Sequence, residues 1–211
     1  QYYFDIILGT LEVFDLKKLY IKPFDKNKEF DSLELTSNDV EFIFGELEEN
    51  HSITIKTSGT QTEVGESSNE IIEVIIVDEL GNNVNSYYDI VLRIGLLRVD
   101  KRHIAIETGS KLKVYDGKPL RSNTYEISSG EIPDTHTLEI NVIGQIVEVG
   151  FEKNVFTYRI IDFNGIDVTN SYRVNEIYGT LEIYDEIIPL IIKSESDSKL
   201  YDGTELTNEN W

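Results

Sequence analysis

Apolar and polar residues alternate along much of this chain with a period of two rather than 3.6. Leu138-Glu139-Ile140-Asn141-Val142 alternates cleanly, as does Ile53-Thr54-Ile55-Lys56, the pattern of strands with one face buried and one face wet. Ile71–Val77 and Val155–Ile161 are denser in β-branched and aromatic residues, which predicts strands buried on both faces or lying at the centre of a sandwich. Turn signals fall between these runs, at Asp116-Gly117, Gly81-Asn82-Asn83 and Asn164-Gly165. The nearest approach to a helical pattern, Ser37–Glu49, is acidic and is interrupted by Gly45, so helix is expected to be minor.

The pattern repeats. Gly9-Thr10-Leu11-Glu12-Val13 is matched by Gly95-Leu96-Leu97-Arg98-Val99 and by Gly179-Thr180-Leu181-Glu182-Ile183. Phe30-Asp31-Ser32 is matched by Tyr115-Asp116-Gly117 and Tyr201-Asp202-Gly203, each with a lysine two residues earlier: Lys28, Lys113 and Lys199. Copies stand 84 to 86 residues apart. The intervening segments keep the same register: Gly45, Leu47 and His51 return as Gly130, Ile132 and His136, and Gly59, Gly65 and Asn69 as Gly144, Gly150 and Asn154. A register this steady marks a repeat architecture. Residues 1–15 read as the closing strand or strands of one repeat, 16–100 and 101–185 as two whole repeats, and 186–211 as the opening part of another, with Trp211 aligned to Tyr125. Beginning at Gln1 and stopping mid-repeat, the chain is expected to be a window on a longer array.

About seven short strands in about 85 residues predict an all-β fold of tandem, compact, Ig-like antiparallel β-sandwiches. The alternative is a β-grasp-like repeat with one short helix after the Tyr115-Asp116-Gly117 strand. The links between repeats, such as Val99 to Ile104 and Ile183 to Leu190, are too short for free swivelling. Each small repeat is expected to gain stability from its neighbours, in a stiff rod growing by roughly 35–45 Å per repeat.

Composition narrows the function. Asp and Glu number 39 against 19 Lys and Arg, a formal charge of −20, which repels phosphate backbones and argues against nucleic acid as a partner. Cysteine is absent, excluding a disulfide framework, a thiol nucleophile and a zinc–thiolate site. The longest apolar runs, such as Ile187-Ile188-Pro189-Leu190-Ile191-Ile192, are too short to span a bilayer. No nucleophile elbow or phosphate loop is present, so an enzyme is not expected, nor any catalytic or cofactor-binding residue.

The segments Lys113-Val114-Tyr115-Asp116-Gly117-Lys118-Pro119-Leu120 and Lys199-Leu200-Tyr201-Asp202-Gly203-Thr204-Glu205-Leu206 resemble the opening signature of the YDG or MBG-type repeats of bacterial surface proteins. The Gly59/Gly65 and Gly144/Gly150 pairs, the Asp162–Thr169 loop, Tyr172 and the closing Gly179-Thr180-Leu181 continue the resemblance over essentially the whole chain. It implies an extracellular, cell-surface location, in long secreted or wall-anchored proteins where such repeats look like stalk modules behind an adhesive tip. The first repeat departs from the motif at Phe30-Asp31-Ser32. Without the glycine, its turn is expected either to avoid positive φ or to carry a small strain.

Two candidate sites are set against plainer readings. Asp162, Asn164 and Asp167 offer oxygens at alternate positions, as calcium loops do. In the first repeat, however, Leu80 replaces a ligand, and a hairpin turn accounts for both copies. Lys28 with Asn69 and Lys113 with Asn154 supply the atoms for an isopeptide bond, against which stands an exposed lysine guarding an edge strand. His51 and His136 share one repeat position and are expected in a fold-specific hydrogen bond. Tyr2, Tyr88 and Tyr172 recur in register and are assigned to the core or a corner, while Tyr87 and Tyr178 do not recur and are expected at the surface. The function expected is a structural spacer partnered by neighbouring repeats. Alternatives are an adhesin module gripping host glycan or protein, or a filament or surface-layer subunit contacting lateral copies.

Overall fold

A computed structural model describes residues 15–186, 191–193 and 196–207. Residues 1–14, with Gly9 and Tyr2, lie outside the described residues, as do 187–190 and Trp211. The regular secondary structure of the described residues is almost entirely strand, with two single-turn 3₁₀ segments at Asn85–Tyr87 and Thr169–Ser171. The short helix of the β-grasp alternative is not found among the described residues.

Eight strands fall in the first repeat: β1 (Lys17–Pro23), β2 (Lys26–Glu29), β3 (Val40–Phe44), β4 (Ser52–Thr57), β5 (Gly65–Asn69), β6 (Ile71–Val77), β7 (Tyr88–Leu92) and β8 (Gly95–Asp100). Eight more fall in the second: β9 (Arg102–Thr108), β10 (Lys111–Val114), β11 (Tyr125–Ser129), β12 (His136–Val142), β13 (Gly150–Lys153), β14 (Phe156–Asp162), β15 (Tyr172–Ile177) and β16 (Thr180–Tyr184). The first set forms sheets ordered β3-β1-β7, β4-β6 and β2-β8-β5, and the second β11-β9-β15, β12-β14 and β10-β16-β13. Strand for strand, the second set reproduces the first.

The antiparallel expectation is corrected here. β1 runs parallel to β7 with Lys17 opposite Tyr88, and β2 runs parallel to β8. The second repeat does the same with β9 beside β15 and β10 beside β16. The opening strands run directly on from one another, as do the closing strands, so the two arms lie side by side in the same direction. Antiparallel pairing is confined to neighbours such as β1 with β3, β4 with β6 and β5 with β8. The doubly buried reading of Ile71–Val77 also fails. Among the described strands β6 pairs only with β4, and Ile72 and Ile75 are exposed.

Two compact units divide the described residues. One draws on the spans Gln1–Glu107, Tyr125–Asn141 and Thr157–Ile177, the other on Thr108–Thr124, Val142–Phe156 and Tyr178–Trp211; the division thus runs through the 101–185 stretch. In the first unit, Leu19 and Ile21 alternate along β1 and pack with Ile76, Val84 and Tyr88. Full burial of each such aliphatic side chain contributes roughly 1.5–3 kcal/mol. In the second unit Leu120, Ile146, Leu181 and Ile183 cluster, with Leu120 and Ile146 joined by a backbone bridge.

The recurring glycines mark close approaches. Gly130 has φ +73°, and a Cβ there would stand 2.2 Å from the His103 carbonyl oxygen; its counterpart Gly45, at φ +81°, would place one 2.0 Å from that of Lys18. Gly130→Ala is therefore expected to cost about 2–4 kcal/mol, combining left-handed strain with a backbone clash. Urea denaturation checks this, and a cost below about 0.5 kcal/mol would contradict the packing described.

Candidate functional site

The motif that repeats most faithfully builds a clamped turn. In the first copy Lys28 Nζ donates to Asp31 Oδ1 at 2.5 Å and to the Leu33 carbonyl, while the Leu33 amide donates to Asp31 Oδ1 at 2.9 Å. In the second, Lys113 is bonded to Asp116 and donates to the Lys118 carbonyl at 2.6 Å, and the Lys118 amide donates to Asp116 at 3.0 Å. In the third, Lys199 meets Asp202 at 3.1 Å and the Thr204 amide donates to Asp202 Oδ1. The hydrogen bond from Lys113 holds the Asp116 carboxyl below the usual carboxylate range. The residue after each aspartate is left-handed: Gly117 at φ +71°, Gly203 at +78° and Ser32 at +60°. Of the two outcomes expected for Ser32, strain is the one observed.

What Ser32 does there is visible across the link to the second repeat. Lys101 alone separates β8 from β9, and the Phe30-Asp31-Ser32 turn is seated on residues of the second repeat. Phe30 is fully buried and stacks on the His136 imidazole, ring centroids 5.4 Å apart. Ser32 Oγ lies 2.7 Å from His136 Nε2, Thr135 Oγ1 donates to the Asp31 carbonyl at 2.8 Å, and Arg102 Nε donates to the Phe30 carbonyl at 2.9 Å. On its other side, His136 Nδ1 lies 2.5 Å from the Tyr172 hydroxyl. Phe30 and Ser32 therefore bury a ring and engage an imidazole that Tyr and Gly would treat differently. Arg102 is also near Glu29 (3.7 Å) and Glu131 (3.8 Å), but at this distance, with both acids exposed, these pairs add little.

Burial pushes the Tyr172 phenol up to about 12 and lowers the His136 pKa from 6.5. Arg102 lowers the histidine further, while Asp162 and Asp31 oppose the shift. Because the folded imidazole binds a proton less readily than the unfolded one, its stabilising effect is complete above about pH 6.5. It is lost as pH falls from there toward the lower folded value. Denaturation midpoints are expected to drop on acidification from about pH 7.5 to 5.5, and the drop is expected to shrink in His136→Gln. Asp31 and Asp162 titrate lower still, being shifted down from 3.8. An equal drop in the variant would refute the assignment.

The remaining candidates fall into place around turns and buried knots. Asp162 Oδ1 accepts from the amides of Ile166 (2.8 Å) and Asn164 (2.9 Å), whose side chain also reaches Asp162, while Asp167 accepts from the Thr169 amide. Asp78 is occupied in the same way by Asn82 and Leu80. Asp162 and Asn164 are thus brought together in a hairpin turn, while Asp167 is engaged with Thr169. Among the described residues no three acidic or histidine side chains gather as a metal group.

Nor are the lysine–asparagine pairs brought together. Lys28 sits opposite Val99 of β8 and Asn69 opposite Gly95, about 13 Å apart along that strand. Asn69 and Asn154 are both fully buried. Asn69 donates to the Ser37 carbonyl at 2.8 Å and accepts from the Gly59 amide at 3.0 Å; Asn154 donates to the carbonyls of Gly109 and Ser122. Gly95 and Gly179 leave no space for a Cβ, which would stand 2.6 Å from the Pro23 carbonyl oxygen and 2.3 Å from that of Thr108.

His51 makes the hydrogen bond expected of it, its Nδ1 lying 2.6 Å from the Tyr88 hydroxyl. Tyr88 and Tyr172 are buried and Tyr87 is exposed, as expected, but Tyr178 is half-buried, its ring 5.6 Å from that of Phe156 and covered by Lys153. Arg102 and Thr135 were not singled out from sequence. Only Arg102 left a trace there, in the cation Lys17 at the matching position. No family model, curated protein or solved structure matches the chain significantly.

Proposed function

We propose that this chain is a run of tandem, Ig-like β-sandwich repeats of the YDG/MBG kind, with mixed rather than purely antiparallel sheets. Its role is mechanical: a stiff, non-catalytic stalk or spacer on a bacterial surface, secreted or wall-anchored, that projects an adhesive or other terminal domain. The observation that carries this reading is the joint. A one-residue link and a buried aromatic plug between consecutive repeats are what an array must have to resist hinging. The reproduced strand order and the acidic, solvated surface support it as well.

Small-angle scattering with and without chelator tests the reading. An extended particle whose length ignores chelator is the expected result. A compact or freely hinged particle would overturn the stalk, and a chelator-dependent bend would reinstate calcium at the Asp162 loop. Glycan gripping and lateral assembly predict instead a sugar-dependent signal or a side-by-side oligomer.

A further inference from the structure

Around the link between the two repeats, strand alternation brings basic side chains together. Arg98 lies on the wet face of β8, between the buried Leu97 and Val99, and Lys101 follows in the link. His103 of β9 and Arg173 of β15 are paired neighbours, both exposed. All four border one open cleft of about 520 Å³, together with Glu29 and Asp100. Both acids are already occupied: Asp100 accepts from Arg98 Nε at 2.7 Å, and Glu29 lies 3.7 Å from Arg102. Among the described residues the side chains of Lys101, His103 and Arg173 make no hydrogen bond or ion pair.

Register ties these charges to this place rather than to the repeat. Where β15 sets Arg173 beside His103, β7 sets Asp89 beside Lys18. Where β8 has Arg98, just before the partner of the clamp lysine Lys28, β16 has Glu182, just before the partner of Lys113. Lys101 stands where the first repeat opens with Leu16. A chain of formal charge −20 thus collects uncompensated positive charge in a concavity, where low-dielectric walls concentrate the field.

We propose that this cleft binds a small oxyanion, a sulfate or phosphate group, held by Arg173 and Lys101 with His103 beside them. The planar fork of an arginine matches such a group with two parallel hydrogen bonds, and a lysine adds a point charge. The group is either a free anion or one borne on a compact molecule such as a sulfated sugar. The acidic surface within a Debye length of the cleft repels a long polyanion, which favours a short ligand. This site and the stalk are independent readings, and either can fail alone.

The test is an amide NMR titration of the chain with sodium pyrophosphate, and separately with a sulfated disaccharide, each against sodium chloride at matched ionic strength. Saturable shifts are expected at Arg98–His103 and Arg173, and none of that kind with chloride. Arg173→Asp, which installs the charge of Asp89, and Lys101→Leu are each expected to weaken binding about tenfold. Both side chains are exposed, so shift dispersion elsewhere is expected to stay intact. Tighter binding of the disaccharide identifies a sugar-borne group, and tighter binding of pyrophosphate a free anion. Shifts that chloride reproduces, shifts scattered over the whole surface, or binding that survives both substitutions would each overturn the proposal.

Discussion

Phe30→Ala is expected to destabilise the chain by about 3–5 kcal/mol, whereas Tyr115→Ala, at the matching position, is expected to change stability by no more than about 0.5 kcal/mol in dilute solution. The contrast follows from their surroundings. Phe30 is fully buried and stacked on His136, and its removal opens a cavity beneath a turn that three further hydrogen bonds hold in place. Tyr115 shares the lysine–aspartate clamp but is 43% exposed. Urea denaturation of the two variants under one set of conditions decides the matter. Equal costs would mean that Phe30 acts within its own turn rather than as a joint between repeats.

The second large effect belongs to Asn69. Asn69→Ala is expected to cost about 1–3 kcal/mol, because it orphans a buried amide and takes one of two donors from a buried carbonyl. The orphan is Gly59 N, while Ser37 O keeps the Thr57 hydroxyl at 2.7 Å; a Cβ at Gly59 would stand 2.6 Å from the Asn69 Cα. Asn69→Asp is expected to be worse at neutral pH. It keeps an acceptor for Gly59 but turns a carboxylate, buried without a partner cation, toward the Ser37 carbonyl. If the aspartate variant were as stable as wild type, the asparagine would not be serving as a two-way hydrogen-bond tie.

Much of this was legible in the residues, because strand content and turn position are local. Alternation placed β4 and β12, and Asp-Gly or Asn-Gly pairs placed the turns, since side-chain period and left-handed φ are properties of a few neighbouring residues. Register between repeats assigned Tyr88 and Tyr172 to the core or a corner and put His51 and His136 in a shared hydrogen bond, without naming its partner. What escaped was non-local. The direction in which Lys17 meets Tyr88 leaves no mark on the periodicity of either strand, so parallel pairing was missed. Asn69 and Asn154 were noticed because they recur, yet recurrence says only that a side chain matters. The chemistry, a buried tie rather than a cross-link, depends on Ser37, Gly59, Gly109 and Ser122, which are distant in sequence. Ser32 looked like a lost glycine until His136, more than a hundred positions on, supplied the reason.

The parallel pairing of opening and closing strands also sets the order of events during synthesis. As the chain leaves the ribosome, β1 can join β3 early, but its other edge stays bare until β7 arrives roughly 70 residues later, a separation that slows closure. Until then a sticky edge is presented to every neighbouring nascent chain. Each repeat therefore ripens only when its own closing strands have been made. Slow translation near Tyr88–Asp100 would lengthen the vulnerable interval far more than the same delay at the hairpin of β4 and β6.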